Sequence, residues 1–159
     1  MATKYIGNSY YEDSILVRCD CGQHFMEVFI FLNYEGQYMV GIEWHSYYNH
    51  KKYKFPDFYF KDLKDFKSFI DAVKHFTQDP ETAQFPIRLD TSINDKPNGS
   101  LEINRDVCGY IDFDRCLYNK KGTKKKLIWN LCLKNQDVLN EFIESLDSLY
   151  AEYWDKLYK

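Results

Sequence analysis

Residues 58–76, FYFKDLKDFKSFIDAVKHF, are answered by residues 131–149, LCLKNQDVLNEFIESLDSL, at a constant offset of 73. Phe58 and Phe60 align with Leu131 and Leu133, Lys61 with Lys134, and Asp62 with Asn135. Phe66, Phe69, Ile70, Val73 and Phe76 align with Leu139, Phe142, Ile143, Leu146 and Leu149. Each copy reads as a short strand followed by a helix. Asp62 and Asn135 are N-capping types whose side-chain oxygens satisfy the first free amides, and the apolar residues after them fall on one stripe at helical spacing. Asp79-Pro80 stops the first helix, because proline cannot continue it.

Working back from this segment, the same offset reaches position 14 without a gap and carries Gly36 onto Gly109. Residues 14–18 read as a first strand, and residues 24–32 alternate strongly, with Met26, Val28, Ile30 and Leu32 on one face. Asn33 to Gly36 is a hairpin turn, and residues 37–45 return with Tyr38, Val40, Ile42 and Trp44 on one face. In the second half, residues 87–90, Leu101 and Ile103, then Ile111, Phe113 and Leu117, and a strand of Leu127, Trp129, Leu131 and Leu133 take the same places, with a loop over 94–99. A repeat of this length is a supersecondary unit that buries its apolar face against its twin. The reading is therefore α+β: one domain over residues 1–159, built from a duplicated ββββα unit (about 14–77 and 87–150). Antiparallel sheets pack with two helices about a pseudo-twofold axis, and a helical extension covers 150–158. This order of elements resembles the PUR-repeat and whirly-type folds, in which a curved four-stranded sheet is followed by a helix and two units intertwine. Those families bind single-stranded nucleic acid on the sheet face, so the resemblance implies that activity as an alternative. It is a likeness of topology, and no residue motif comes with it.

The net charge of −3 supplies no global attraction to nucleic acid or to anionic membranes. The basic residues are 17 Lys against 4 Arg, so the chain is poor in the side chain that forks onto phosphate and base edges. Five scattered cysteines after a polar Met1–Tyr11 segment predict reduced thiols and a cytoplasmic protein, and no apolar run reaches membrane-spanning length. The 14 Tyr, 12 Phe and 3 Trp predict many half-buried or interface positions, since buried hydroxyls need partners.

Five sets of residues are candidates for function. The face opposite the core stripe carries six carboxylates, Glu27, Glu43, Glu102, Asp106, Asp112 and Asp114, among aromatics. An acidic face of this kind repels phosphate and suits a protein partner. The extended last helix carries Tyr150, Tyr153, Trp154 and Leu157 on one side; it either caps the core or pairs with a second copy as a homodimer. Glu43, Asp112, Asp114, Tyr153 and Trp154 are thus the expected partner contacts. The alternative, single-stranded nucleic-acid binding, would use the matched Lys/Tyr loops through Lys51, Lys52, Lys124 and Lys125, where lysines beside tyrosines neutralise phosphates and stack bases. Cys19, Cys21 and His24 have ligand chemistry, but two strand cysteines at i and i+2 lie roughly 6–7 Å apart, wide for one tetrahedral ion. Glu43 and His45 share a strand face and could exchange a proton, yet no nucleophile, oxyanion site or phosphate-cradling loop accompanies them. The sequence therefore predicts a non-catalytic interaction protein without cofactor or metal that docks on, and inhibits, a partner macromolecule. Small size and a Lys-, Asn- and Tyr-rich composition fit a phage or mobile-element product acting on a host or defence protein.

Overall fold

A computed structural model describes residues 4–6, 9–46, 57–93, 96–118, 121 and 125–159. The first sheet is five-stranded and antiparallel: β1 (Lys4–Ile6), β2 (Ser9–Arg18), β3 (His24–Leu32), β4 (Tyr38–Ser46) and β5 (Phe58–Tyr59), in chain order. Helix α1 (Leu63–Gln78) follows. The second sheet runs β6 (Ile87–Ile93), β7 (Lys96–Arg105), β8 (Ile111–Tyr118) and β9 (Lys125–Leu133), and α2 (Gln136–Tyr153) closes the unit. The duplicated ββββα arrangement is present as read from the sequence.

The repeat is visible down to single hydrogen bonds. In the β3–β4 turn, the Asn33 side-chain oxygen accepts from the amides of Glu35 and Gln37, and Gly36 takes φ 77°. In the β7–β8 turn, the Asp106 side-chain oxygen accepts from Cys108 and Tyr110, and Gly109 takes φ 82°. Asx-type side chains mimic a backbone turn, and glycine enters the left-handed region at no steric cost, so both turns are written in their local sequence. Both helices start as expected: Asp62 accepts from the Asp65 amide, and Asn135 from the Asp137 and Val138 amides.

One core lies between the sheets and the helices. Val28, Ile30, Val40 and Ile42 from the first sheet, and Leu101, Ile103, Ile111 and Phe113 from the second, are fully buried with both helix stripes. Equivalent residues meet at the helix crossing: the Phe69 and Phe142 rings lie 6.3 Å apart, edge to face, and Lys74 Nζ bonds Asp147 Oδ1 at 2.7 Å. Phe66, near the start of α1, touches Tyr150, near the end of α2, so the helices cross antiparallel. This is the contact a pseudo-twofold axis between the copies requires. The sheet edges are stitched together. Thr91 Oγ1 donates to the Tyr59 carbonyl at 2.7 Å, the Lys134 amide to Asp20 Oδ2 at 2.8 Å, and Trp44 Nε1 to the Asn130 carbonyl at 3.2 Å.

The structure corrects the reading of the elements in four places. The first strand is longer than residues 14–18, and β1 is added before it. Strand β7 begins at Lys96, inside the expected loop over 94–99. The gapless register breaks at the first strand of each unit: Ile15 faces Val28, but Leu89 faces Leu101, an offset of 74 rather than 73. Helix α2 ends at Tyr153, so residues 154–158 are not helical. The chain turns there, Tyr158 takes φ 62°, and Leu157 bridges Tyr38. The Tyr158 hydroxyl donates to the Phe60 carbonyl at 2.6 Å and accepts from the Val40 amide at 3.2 Å. Strand β5 is only two residues long, and this tail serves the β4 backbone beyond its reach.

Arg115 is the largest departure from a plain apolar interior. It stands where the first unit has Ile42 and is completely buried. Its guanidinium donates to the carbonyls of Cys116 (2.9 Å), Asp57 (3.2 Å) and Ser100 (3.3 Å), which ties the second sheet to the first. Burial lowers its pKa to about 10. Gly99, at φ 84°, leaves the room: a Cβ there would strike the Cys116 carbonyl and the Arg115 head.

Candidate functional site

The β3–β4 register places Phe25, Glu27, Phe29 and Phe31 opposite His45, Glu43, Gly41 and Met39 on the outer face of the first sheet. A bulge between Tyr11 and Asp13 in β2 turns Tyr11 onto this face and Asp13 away from it. Tyr11 stacks on Phe29 at 4.0 Å and 7°, and the Tyr59 ring meets Phe29 and Phe31. Gly41 makes this possible, because a Cβ would lie 2.6 Å from the Phe29 ring. The expectation of a solvated acidic face fails here. Tyr11, Glu27 and Phe29 are each 1% exposed, and Tyr11 and Phe29 form a second small core with Phe31.

An ionic cluster is set into this aromatic floor. His45 Nε2 lies 3.4 Å from Glu27 Oε1 and 3.5 Å from Glu43 Oε2, and the Tyr11 hydroxyl donates to Glu43 Oε2 at 2.8 Å. Burial alone would lower the His45 imidazole, but Glu27 and Glu43 outweigh it and hold its pKa up to about 9. Nearby, the Tyr59 hydroxyl donates to Asp57 Oδ2 at 3.3 Å. Burial, then repulsion from Glu43, raises the Asp57 carboxyl to about 7. The same two causes push the Tyr11 phenol far up.

The outer face of the second sheet is different in kind. Glu102 faces Asp114, and Asn104 faces Asp112, while Asp114 and Asp112 face Asn130 and Cys132. Asn104 Nδ2 donates to Asp114 Oδ2 at 2.8 Å, and the thiols of Cys132 and Cys116 donate to Asp112 at 3.2 Å and Glu102 at 3.4 Å. Lys125 Nζ bonds Glu102 Oε2 at 2.8 Å. Burial and then the adjacent Asp112 raise the Asp114 carboxyl to about 6. Phe113, between the two aspartates, points into the core, so both carboxylates stand on the outer face as read from the alternation.

The other expected site residues are scattered. The Glu43 carboxylate is engaged within the chain by Tyr11 and His45. Tyr153 is 3% exposed and donates to Asp13 Oδ2 at 3.2 Å, so it packs into the core of its own chain, whereas Trp154 is 49% exposed. Lys51, Lys52 and Lys124 lie outside the described residues. Lys125 is tied to Glu102 and lies opposite Tyr118 in the β8–β9 register. Cys19 and Cys21 are joined as a disulfide in the β2–β3 turn, which corrects the expectation of reduced thiols at these two and removes them as ligands beside His24. Cys108, Cys116 and Cys132 are free. A groove of about 270 Å³ runs between β2 and α2, lined by Leu16, Val17, Arg18, Val138, Glu141, Phe142 and Ser145. It offers two charges and apolar walls, with no constellation for chemistry. No helix among the described residues is long and apolar enough to cross a membrane.

The sequence reading missed Tyr11, Asp57 and Tyr59. Tyr11 comes from β2, whereas Tyr59 lies in β5 and Asp57 just before it, and only the bulge in β2 and the pairing of β4 with β5 bring the two segments to one face. The chain matches no family model and no curated protein.

Proposed function

We propose that the protein is a non-catalytic binding module whose second-sheet outer face docks on a basic, Lys- or Arg-rich surface of a partner protein. One observation carries this reading. Asp112 and Asp114 stand side by side with Glu102 on a strand face, and among the described residues the cation bonded there is Lys125, at Glu102. Like charges held close and partly desolvated repel, which is why Asp114 ionises only at about 6. A cationic partner relieves that repulsion and gains charge-assisted hydrogen bonds that water had occupied. Docking of this kind masks the partner's cationic surface, which is how a binder of this size inhibits.

The test is fluorescence anisotropy with the full chain against a labelled Lys/Arg-rich peptide and a labelled single-stranded oligonucleotide, at two salt concentrations. Salt-sensitive binding of the peptide is expected, weakened at least tenfold in the Asp112→Asn/Asp114→Asn double variant. Tight oligonucleotide binding that falls steeply with salt and ignores those two substitutions would instead favour the nucleic-acid alternative through the lysine loops and overturn the reading.

A further inference from the structure

In the ionic cluster on the first sheet, His45 sits within ion-pair range of two glutamates but beyond close hydrogen-bonding distance. Glu27 lies directly opposite Glu43 in the β3–β4 register, and His45 follows Glu43 by two residues on the same face. Directly opposed side chains on an antiparallel sheet start from Cβ atoms about 4.5–5.5 Å apart, so three such groups can bring their heads to one point. They do: one donor atom from each lies within 4.8 Å of the other two. The two contacts of His45 Nε2 are 3.4 and 3.5 Å. A charge-assisted N–H···O⁻ bond closes to about 2.7–2.9 Å. Among the described residues Nε2 makes no hydrogen bond, and it is shut off from solvent. Donors around a tetrahedral ion with bonds of ~2.0–2.1 Å stand roughly 3.3–3.4 Å from one another. The two separations from Nε2 thus fit the edges of a coordination tetrahedron better than they fit hydrogen bonds, and the two carboxylate oxygens lie within 4.8 Å of each other.

The surroundings hold the three groups in place. Phe25 stacks on the His45 ring at 4.5 Å and 13°, which fixes the plane of the imidazole. The Tyr11 hydroxyl donates to the same Glu43 oxygen, Oε2, and so fixes the carboxylate's orientation. Supporting contacts of this type commonly steer metal ligands. Phe29, the next residue after Glu27 on this face, borders the site on one side with buried apolar surface. Two carboxylates balance a divalent charge, and an imidazole ligand selects transition metals over calcium and magnesium.

We propose that Glu27 Oε1, Glu43 Oε2 and His45 Nε2 form a three-ligand site for a divalent first-row transition cation of the zinc type. A fourth position is left for water or an incoming ligand, as in open zinc sites. This site stands on the first sheet and does not depend on docking by the second.

Isothermal titration of the full chain with Zn²⁺ tests it, alongside the visible spectrum of the Co²⁺-loaded protein. One saturating equivalent is expected, weakened at least tenfold in His45→Gln and in Glu43→Gln and unchanged in Asp112→Asn/Asp114→Asn. The Co²⁺ spectrum should show ligand-field bands of a low-coordinate oxygen/nitrogen site, without sulfur-to-metal charge transfer. Absence of saturable binding at millimolar Zn²⁺, equal affinity in His45→Gln, or a strong thiolate band placing the ion on cysteines would each overturn the proposal. Should either variant fail to fold, the Co²⁺ spectrum and stoichiometry of the unaltered chain still decide the matter.

Discussion

The inner and outer faces of the two sheets obey different rules. On the inner face, residues 73 apart keep their character, Arg115 in place of Ile42 excepted: Val28, Ile30 and Val40 answer Leu101, Ile103 and Phe113, all fully buried. On the outer face they do not. Phe29, Phe31, Met39 and Gly41 of the first sheet become Glu102, Asn104, Asp112 and Asp114 in the second, while Glu27, Glu43 and His45 become Ser100, Cys116 and Tyr118. The inner positions are held by one shared core, in which each copy shields the other, so a polar replacement such as Arg115 is tolerated only with its own hydrogen-bond partners. The outer faces share no such core among the described residues. One has become a small aromatic core with ionic groups set into it, and the other a ladder of carboxylates. A duplicated fold can thus keep its frame and assign separate binding chemistry to each copy.

Exchanging residues between the outer faces should break the molecule in a predictable order. Phe29→Glu writes the second sheet's residue into the first. It places a carboxylate between Tyr11, Tyr59 and Gly41, beside the buried Glu27, and should cost ~4 kcal/mol or more, seen as loss of the cooperative urea transition. If the variant instead unfolds within ~1 kcal/mol of the parent, the first outer face is not a core. Next, Gly41→Ala should cost about 1–3 kcal/mol, since the added Cβ must displace the Phe29 ring. Pairing it with Phe29→Leu should recover part of that loss, and a purely additive double variant would show that the ring is not what Gly41 accommodates. Tyr158→Phe comes third. It leaves the Val40 amide and the Phe60 carbonyl short of a partner and should cost about 1–2 kcal/mol in chemical denaturation.

Much of the frame was legible from residues alone, because turns, caps and stripes are local. Asn33 and Asp106 with their glycines, Asp62 and Asn135 with their helices, and the alternation in β3 and β8 each declare an element without tertiary help. What was not legible depends on partners distant in sequence. The burial of Phe29 needs Tyr11, which a one-residue bulge turns onto its face. Arg115 occupies a position that strand parity marks as interior, yet its residue type argues against it; only the carbonyls of Ser100, Cys116 and Asp57 make the burial tolerable. The end of α2 at Tyr153 follows from an unsatisfied stretch of β4 that the tail serves, a demand set far from the helix itself. In the same way, Glu27, Glu43 and His45 could be assigned to one face by parity, but their convergence to a point is a property of strand register.

The smallest expected effect is also the one that separates charge repulsion from packing on the second face. Asp114 is raised from 3.8 to about 6 by burial and then by Asp112. The folded chain therefore holds this proton more tightly than the unfolded chain does. Below about pH 4 the group is protonated in both states and carries no penalty. As pH rises from about 4 to 6 the folded state loses stability relative to the unfolded one, and above 6 the loss is complete. Asp112→Asn keeps the side-chain oxygen that accepts from the Cys132 thiol and removes one of the two charges. At pH 8 the variant should be more stable than the parent by about 0.5–1 kcal/mol, a value kept low because the pair is only partly shielded from water. That advantage should shrink toward zero as the pH falls below about 4, which urea midpoints across the range would show. An advantage that stays the same at every pH would mean that the substitution acts through packing, and the repulsion that a basic partner is proposed to relieve would not exist.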